Sequence, residues 1–177
     1  MIRPAHPDDA GAIAGIYAPY VTGGIATFEL IPAGAAEIAR RMASSDGRLP
    51  WLVWEDADRV TGYAYASPFN ARAAYRWTVE TTVYLAAAAH GQGVGRRLYE
   101  ALLTMLTAQG FAQAVALVSR PNPASERLHE RLGFRLAGTI ERAGCKHGAW
   151  IDVGYWQRAL ADPGDPPAEP RVIASDP

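Results

Sequence analysis

The sequence predicts a single mixed α/β domain. Three observations support this: apolar residues recur at helical spacing in some segments, alternate with polar residues in others, and the two kinds of segment interleave along the chain. A length of 177 residues suits one compact core and is short for two. With 49% hydrophobic and 20% charged residues, the composition is that of an ordinary globular chain.

The elements follow in order. Asp8 or Asp9 is placed to cap a first helix carrying Ile13, Ile16 and Tyr17, with Pro19 and the Gly23-Gly24 pair marking its end. A second helix is predicted over 35–43, where Ile38 and Met42 lie four apart and Glu37, Arg40 and Arg41 fall elsewhere; Asp46-Gly47 closes it. Trp51-Leu52-Val53-Trp54 starts a hairpin, Asp56-Ala57-Asp58 turns it, and 60–66 returns. In the next strand, 78–85, Val79, Thr81, Val83 and Leu85 share one face and Thr78, Glu80, Thr82 and Tyr84 the other. Glu80 is therefore a carboxylate in mid-strand. Gly91 to Gly95 turn the chain into a helix with Leu98, Leu102 and Met105 or Leu106 on one side, ending at Gly110. A strand over 114–119, a helix over 123–132 stopped by Gly133, and strands over 134–140 and 150–156 complete a domain spanning residues 1–160. Residues 161–177 contain five prolines and few large apolar groups, so an extended tail with no core of its own is expected.

Seventeen basic and eighteen acidic residues nearly cancel. No broad field draws nucleic acid or anionic lipid, and any anion site has to be local. The N-terminus lacks an apolar targeting segment, and no run approaches the ~20 apolar residues that span a bilayer. A cytoplasmic location is expected, with neither membrane nor nucleic acid as partner. Cys145 is the sole cysteine, so no intrachain disulfide forms and a buried, inert thiol is expected.

The most informative local feature is His90-Gly91-Gln92-Gly93-Val94-Gly95 between a strand and a helix. Glycines at 91, 93 and 95 let the backbone curl so that several N–H groups converge, and the helix N-terminus adds partial positive charge: together, a phosphate cradle. Arg96 and Arg97 in the first turn reinforce it. The turn lacks the Gly-Lys-Ser/Thr ending of a P-loop. It also lacks the third glycine of a dinucleotide fingerprint, which would fall at Arg96, and the acidic residue expected after the following strand. A plain turn without ligand stays open on the glycines alone.

This turn, together with Asn122-Pro123-Ala124-Ser125 and Leu132-Gly133-Phe134, resembles the GNAT superfamily of acetyl-coenzyme A-dependent N-acetyltransferases. Thr78-Val79-Glu80-Thr81-Thr82-Val83-Tyr84, Ala108-Gln109-Gly110-Phe111 and the run from Lys146-His147-Gly148 to Tyr155-Trp156-Gln157 resemble its phosphinothricin N-acetyltransferase branch. The resemblance covers about residues 2 to 160. It implies a GNAT fold, a central mixed and mostly antiparallel sheet with a splayed strand pair, flanked by helices. It also implies acetyl-CoA as co-substrate without a metal, and a homodimer. On it, the backbone of Val83, Tyr84 and Leu85 pairs with the pantetheine arm, His90 to Arg96 hold the pyrophosphate, and Asn122 and Ser125 line the far side of the arm. His90 departs from the usual Gln or Arg of that turn, and Asn70 stands where many branch members carry Arg or Lys.

The chemistry such a protein needs can be matched to residues. Acetyl transfer to nitrogen requires a neutral amine, so a base must take its proton. The resemblance places a catalytic carboxylate at Glu80; an ion pair with Arg72 or Arg76 is the alternative role. An ordinary Glu pKa of ~4.3 against roughly 8 for an α-amino group makes direct transfer uphill by about 5 kcal/mol. Burial must raise Glu80, or water must relay the proton. An oxyanion is matched by the N–H of Tyr84 or Leu85. His129 aligns with a Tyr that serves many relatives as proton donor, and either donates or lines the pocket. Arg72 and Arg76 suit a substrate carboxylate or phosphinate. Phe28 and Tyr75 suit its side chain, and Lys146 with His147 border the pocket. The expected acceptor is a small amino-acid analogue resembling phosphinothricin or methionine sulfoximine. The alternatives are a peptide N-terminus, a polyamine, or a non-catalytic acetyl-CoA-binding module. Trp150 and Trp156 are expected in the core or a dimer contact.

Overall fold

The protein is described here by a computed structural model that covers residues 1–44, 47–162 and 164–172. In chain order its elements are β1 (Ile2–Pro4), α1 (Ala10–Gly23), α2 (Ala35–Ala43), β2 (Trp51–Asp56), β3 (Arg59–Pro68), β4 (Thr78–Leu85), α3 (Val94–Gln109), β5 (Gln113–Arg120), α4 (Pro123–Arg131), β6 (Arg135–Lys146) and β7 (Ala149–Ala159). The strands form one sheet in the order β1-β2-β3-β4-β5-β7-β6. Every neighbouring pair is antiparallel except β4 and β5.

Two cores flank the sheet. On one face Ile13, Ile16, Tyr17 and Val21 of α1 and Ile38 of α2 pack on Val53 and Tyr63. On the other, Leu98, Leu102 and Leu106 of α3 pack on Leu52, Ala64, Val79 and Ala116. Neighbours such as Leu52 and Val53 serve opposite cores because side chains alternate along a strand. The three α3 leucines are fully buried, each contributing about 1.5–3 kcal/mol relative to exposure.

One irregularity organises the rest. Only Thr78, Val79 and Glu80 of β4 pair with β5, opposite Gln113, Ala114 and Val115. Beyond that point β4 stays with β3 as far as Leu85, and β5 stays with β7 as far as Arg120. The two strands therefore part immediately after Glu80.

Several expectations need correction. Pro19 lies inside α1, which runs on to Gly23. Its missing N–H removes one helical hydrogen bond, but Tyr17 and Val21 on either side of it are buried and hold the helix to the sheet. The N-terminal capping box is made by His6 and Asp9 before α1, with the Asp9 carboxylate accepting from the His6 N–H at 2.7 Å. Asp46 lies outside the described residues. Strand β6 continues to Lys146, where Glu141-Arg142-Ala143-Gly144 had read as the end of a strand. Cys145 is exposed on this edge strand. Trp156 is core, whereas Trp150 is 59% exposed.

Residues 168–171 dock on the domain. Trp77 Nε1 donates to Ala168 O at 2.7 Å, the Arg171 N–H to Gln109 O at 2.8 Å, and Arg76 pairs with Glu169 at 2.8 Å. No helix among the described residues is long and apolar enough to cross a membrane.

Candidate active site

The parting of β4 from β5 leaves backbone groups without a ladder. Ala86 donates its N–H to Thr61 O on the β3 side, and Trp77 O accepts from Ala112 and Gln113 on the β5 side. Successive residues alternate in direction, and the β3–β4 register is unbroken. Val83 and Leu85 therefore turn their N–H and C=O groups toward the gap. Tyr84 turns its own toward β3, and the Tyr20 hydroxyl takes both groups of Leu85, accepting from its N–H at 3.4 Å and donating to its C=O at 2.7 Å, which leaves Val83 as the backbone partner open to the gap.

Beyond β4 the chain passes through Ala86-Ala87-Ala88-Ala89 to His90 and the Gly-rich turn. Gly91 and Gly93 have φ of 74° and 75°, and Gly93 is the N-cap of the 16-residue α3. No acidic residue occupies the first turn of that helix. The N-terminal N–H groups and the helix dipole thus face a space suited to anionic oxygens. Of the basic side chains, Arg96 pairs with Glu100 at 2.8 Å and Arg97 lies over Trp54. The Gln92 side chain donates to Ala88 O at 2.6 Å. Gly93→Ala keeps open space around the new Cβ but forces a left-handed conformation that costs about 1–2 kcal/mol. About tenfold weaker coenzyme A binding is the expected result by titration calorimetry.

Glu80 projects from the α1 face of β4 into a cavity of about 470 Å³ walled by Tyr17, Tyr65, Thr82, Tyr84, Ser119 and Tyr155 and closed by the segment carrying Phe28 and Glu29. Burial raises the Glu80 pKa above the ordinary carboxylate range, and among the described residues its carboxylate has no ion-pair partner. The ion pair with Arg72 or Arg76 does not form. A larger groove, of about 800 Å³, runs along α1 to Leu85 and His90. Of its carboxylates, Asp9 is ion-paired with Arg3 at 2.7 Å and Asp8 and Asp58 are exposed, whereas the smaller cavity holds the half-buried, unpaired Glu80.

The profile of the acetyltransferase (GNAT) domain family matches residues 2–154. The chain belongs to the GNAT acetyltransferase family. The acetyltransferase is 43% identical over 165 residues to a phosphinothricin N-acetyltransferase of Streptomyces viridochromogenes, covering 93% of this chain and 90% of that one. It is 36% identical to an L-methionine sulfoximine/L-methionine sulfone acetyltransferase of Pseudomonas paraeruginosa, covering 90% and 94%. A crystal structure of a phosphinothricin acetyltransferase of Sinorhizobium meliloti in complex with acetyl-CoA superposes with a TM-score of 0.87 at 40% identity, covering 90% and 88%.

The remaining expected site residues fall into three groups. Phe28 is on the cavity wall, its ring directly over Gly144: a Cβ there would meet Phe28 Cε2 at 2.4 Å. Gly144→Ala displaces the ring at a cost of about 1–3 kcal/mol. Steady-state kinetics should show the KM for the amine rising about tenfold, with the KM for acetyl-CoA unchanged.

Asn122, Ser125, His129 and Lys146 act on the framework. Asn122 is the N-cap of α4, its Oδ1 accepting from the Ser125 N–H at 3.2 Å. His129 is 4% exposed. Its Nδ1 donates to Ser125 O at 2.8 Å, which leaves Nε2 to accept from the Tyr99 hydroxyl at 3.1 Å. Burial lowers its pKa, so the ring stays neutral. Lys146 is 3% exposed, and its Nζ donates to Thr27 O at 2.7 Å, pinning the segment that carries Phe28 and Glu29.

Arg72, Tyr75, Arg76 and His147 are exposed and line neither cavity. Arg76 is held by Glu169 and stacks on Trp77 at 4.1 Å, Tyr75 packs on Phe69, and His147 sits in the β6–β7 turn. Among the described residues the Arg72 guanidinium has no partner.

Sequence reasoning missed Tyr17, Glu29, Tyr65, Ser119 and Tyr155. Thr82 and Tyr84 share the face of Glu80 by simple alternation, and Tyr65 pairs with Thr82 across the sheet. That signal was within reach once the hairpin partner of β4 was chosen.

Proposed function

We propose that the acetyltransferase moves the acetyl group of acetyl-CoA to the amino group of a small amino-acid analogue of the phosphinothricin or methionine sulfoximine kind, with Glu80 as general base. The observation that carries this reading is an unpaired, half-buried carboxylate in an aromatic-walled cavity, at the point where β4 leaves β5. The open backbone of Val83, the left-handed glycines and an α3 N-terminus free of acidic residues fit the coenzyme. Val83, at the end of β4 that Tyr20 fixes through Leu85, holds its pantetheine arm and the segment from His90 to Arg96 its pyrophosphate. The bound coenzyme supplies the thioester carbonyl as electrophile.

The residues of the chain do the rest. The aromatic walls exclude water from the amine, and Glu80 receives its proton; the raised pKa narrows the ~4-unit gap to an ordinary amine. The N–H of Val83 is the donor for an oxyanion. A thiol pKa of ~8.5 lets the leaving group depart without a dedicated acid, in keeping with a neutral His129 whose nitrogens are both engaged. The protein works in the cytoplasm as a homodimer, a reading supported by exposed Leu136, Ile140 and Trp150 on the β6–β7 hairpin; sedimentation checks it.

Thiol release with a panel of amines tests the function. Turnover of phosphinothricin, methionine sulfoximine or methionine sulfone is expected. Coenzyme binding with no turnover of any of them removes this acceptor class.

A further inference from the structure

The Tyr20 hydroxyl, near the end of α1, sits at a junction. It donates to Leu85 O at 2.7 Å, lies 3.4 Å from the Leu85 N–H, and contacts His90 Nε2 at 3.0 Å. Its single proton is committed to the Leu85 carbonyl, so the His90 ring donates to the tyrosine oxygen. Burial raises the Tyr20 pKa, keeping the hydroxyl protonated. Leu85 is the last residue of β4 facing the gap, and His90 is the first residue of the Gly-rich turn. The four residues between them are alanines that pass through a short 3-10 turn, with the Ala89 N–H donating to Ala86 O at 2.9 Å, and Tyr20 is the side chain that links the two ends of this connection.

We propose that Tyr20 is a positioning residue for the coenzyme: one hydroxyl ties the open end of β4 to the start of the phosphate turn, fixing the spacing between the strand that holds the pantetheine arm and the turn that holds the pyrophosphate. The inference rests on the coenzyme assignment above. A ligand that reaches both half-sites at once binds through their spacing as well as through each contact, because the second engagement is intramolecular. Loosening the tie therefore weakens the whole ligand more than either half. The pairing is local to this gap, where β4 has no ladder partner, and the Tyr20 ring stays in place by packing against Tyr84 at 4.8 Å.

Tyr20→Phe removes the hydroxyl and keeps the ring. By titration calorimetry, its affinity for coenzyme A is expected to fall about tenfold, while affinities for 3′,5′-ADP and for pantetheine change less than twofold. His90→Ala should reproduce the loss, the double variant should add little to it, and His90→Gln, whose amide can still donate to the tyrosine, should retain most of the affinity. Unchanged coenzyme A binding in Tyr20→Phe overturns the proposal. A parallel loss for coenzyme A and both fragments also overturns it, since that marks a local folding role. Failure of the unmodified protein to bind coenzyme A would instead remove the coenzyme assignment itself.

Discussion

Glu80→Gln lowers kcat by about 100- to 10,000-fold, the range for loss of a positioned general base, while coenzyme A binding stays within twofold and the fold does not weaken. The second half of this expectation separates a base from a structural carboxylate. Burial raises the Glu80 pKa in the folded state, so folding favours the protonated form. The stability linked to Glu80 is fully present below the unfolded pKa and is lost as pH rises through the folded one. At neutral pH the ionised carboxylate weakens the fold, and the neutral Gln isostere does not. Thermal unfolding of Glu80→Gln at pH 7–8 should therefore occur at or above the Tm of the unmodified protein, with the difference vanishing below about pH 4. The kcat/KM of the unmodified enzyme should rise with pH through the same ionisation, and that limb should be absent from the residual activity of the variant. Unchanged turnover, or a large drop in Tm, would contradict the assignment.

Local order was legible where one physical signal dominated. The alternation in 78–85 defined β4 to the residue, and 35–43 defined α2, because nothing in either segment competes with the pattern. The face of Glu80 followed directly. Where tertiary contacts override local preference, the sequence misled. Pro19 reads as a helix end, yet the buried residues around it carry α1 through. The strand expected over 134–140 ends too early: after a bulge over 141–143, β7 supplies partners again from Gly144 to Lys146. Lys146 beside His147 reads as a pocket rim. It is instead a buried donor to a backbone carbonyl 119 residues away, a partner that no spacing rule reveals.

The Gly-rich turn before α3 was legible for a different reason. Left-handed glycines and a helix N-terminus act through backbone geometry that sequence encodes directly. The acceptor side depends on which strands part and which segment folds over the gap. Arg76 illustrates this: nothing near residue 76 indicates that Glu169 will take its guanidinium.

His129→Ala decides between two roles for the buried imidazole. As a neutral anchor, the ring accepts from Tyr99, which also contacts Thr81 Oγ1 at 2.7 Å, and donates to Ser125 O on α4. Truncation leaves the Ser125 carbonyl and the Tyr99 hydroxyl short of a partner and opens a cavity beside Phe134 and Trp156. The cost is about 2–4 kcal/mol, seen as a Tm lower by roughly 5–15 °C for a chain of this size. Measured well below that transition, kcat falls less than tenfold, because neither nitrogen holds a proton free for the leaving group. A general acid predicts the reverse pattern: kcat down by ~100-fold or more with the Tm little changed, and a high-pH limb of the kcat profile lost with the ring. The imidazole on α4 reaches the strand that supplies Glu80 through Tyr99 of α3, which contacts Thr81, so a stability-dominated outcome would make it the part of the core that couples α4 to β4.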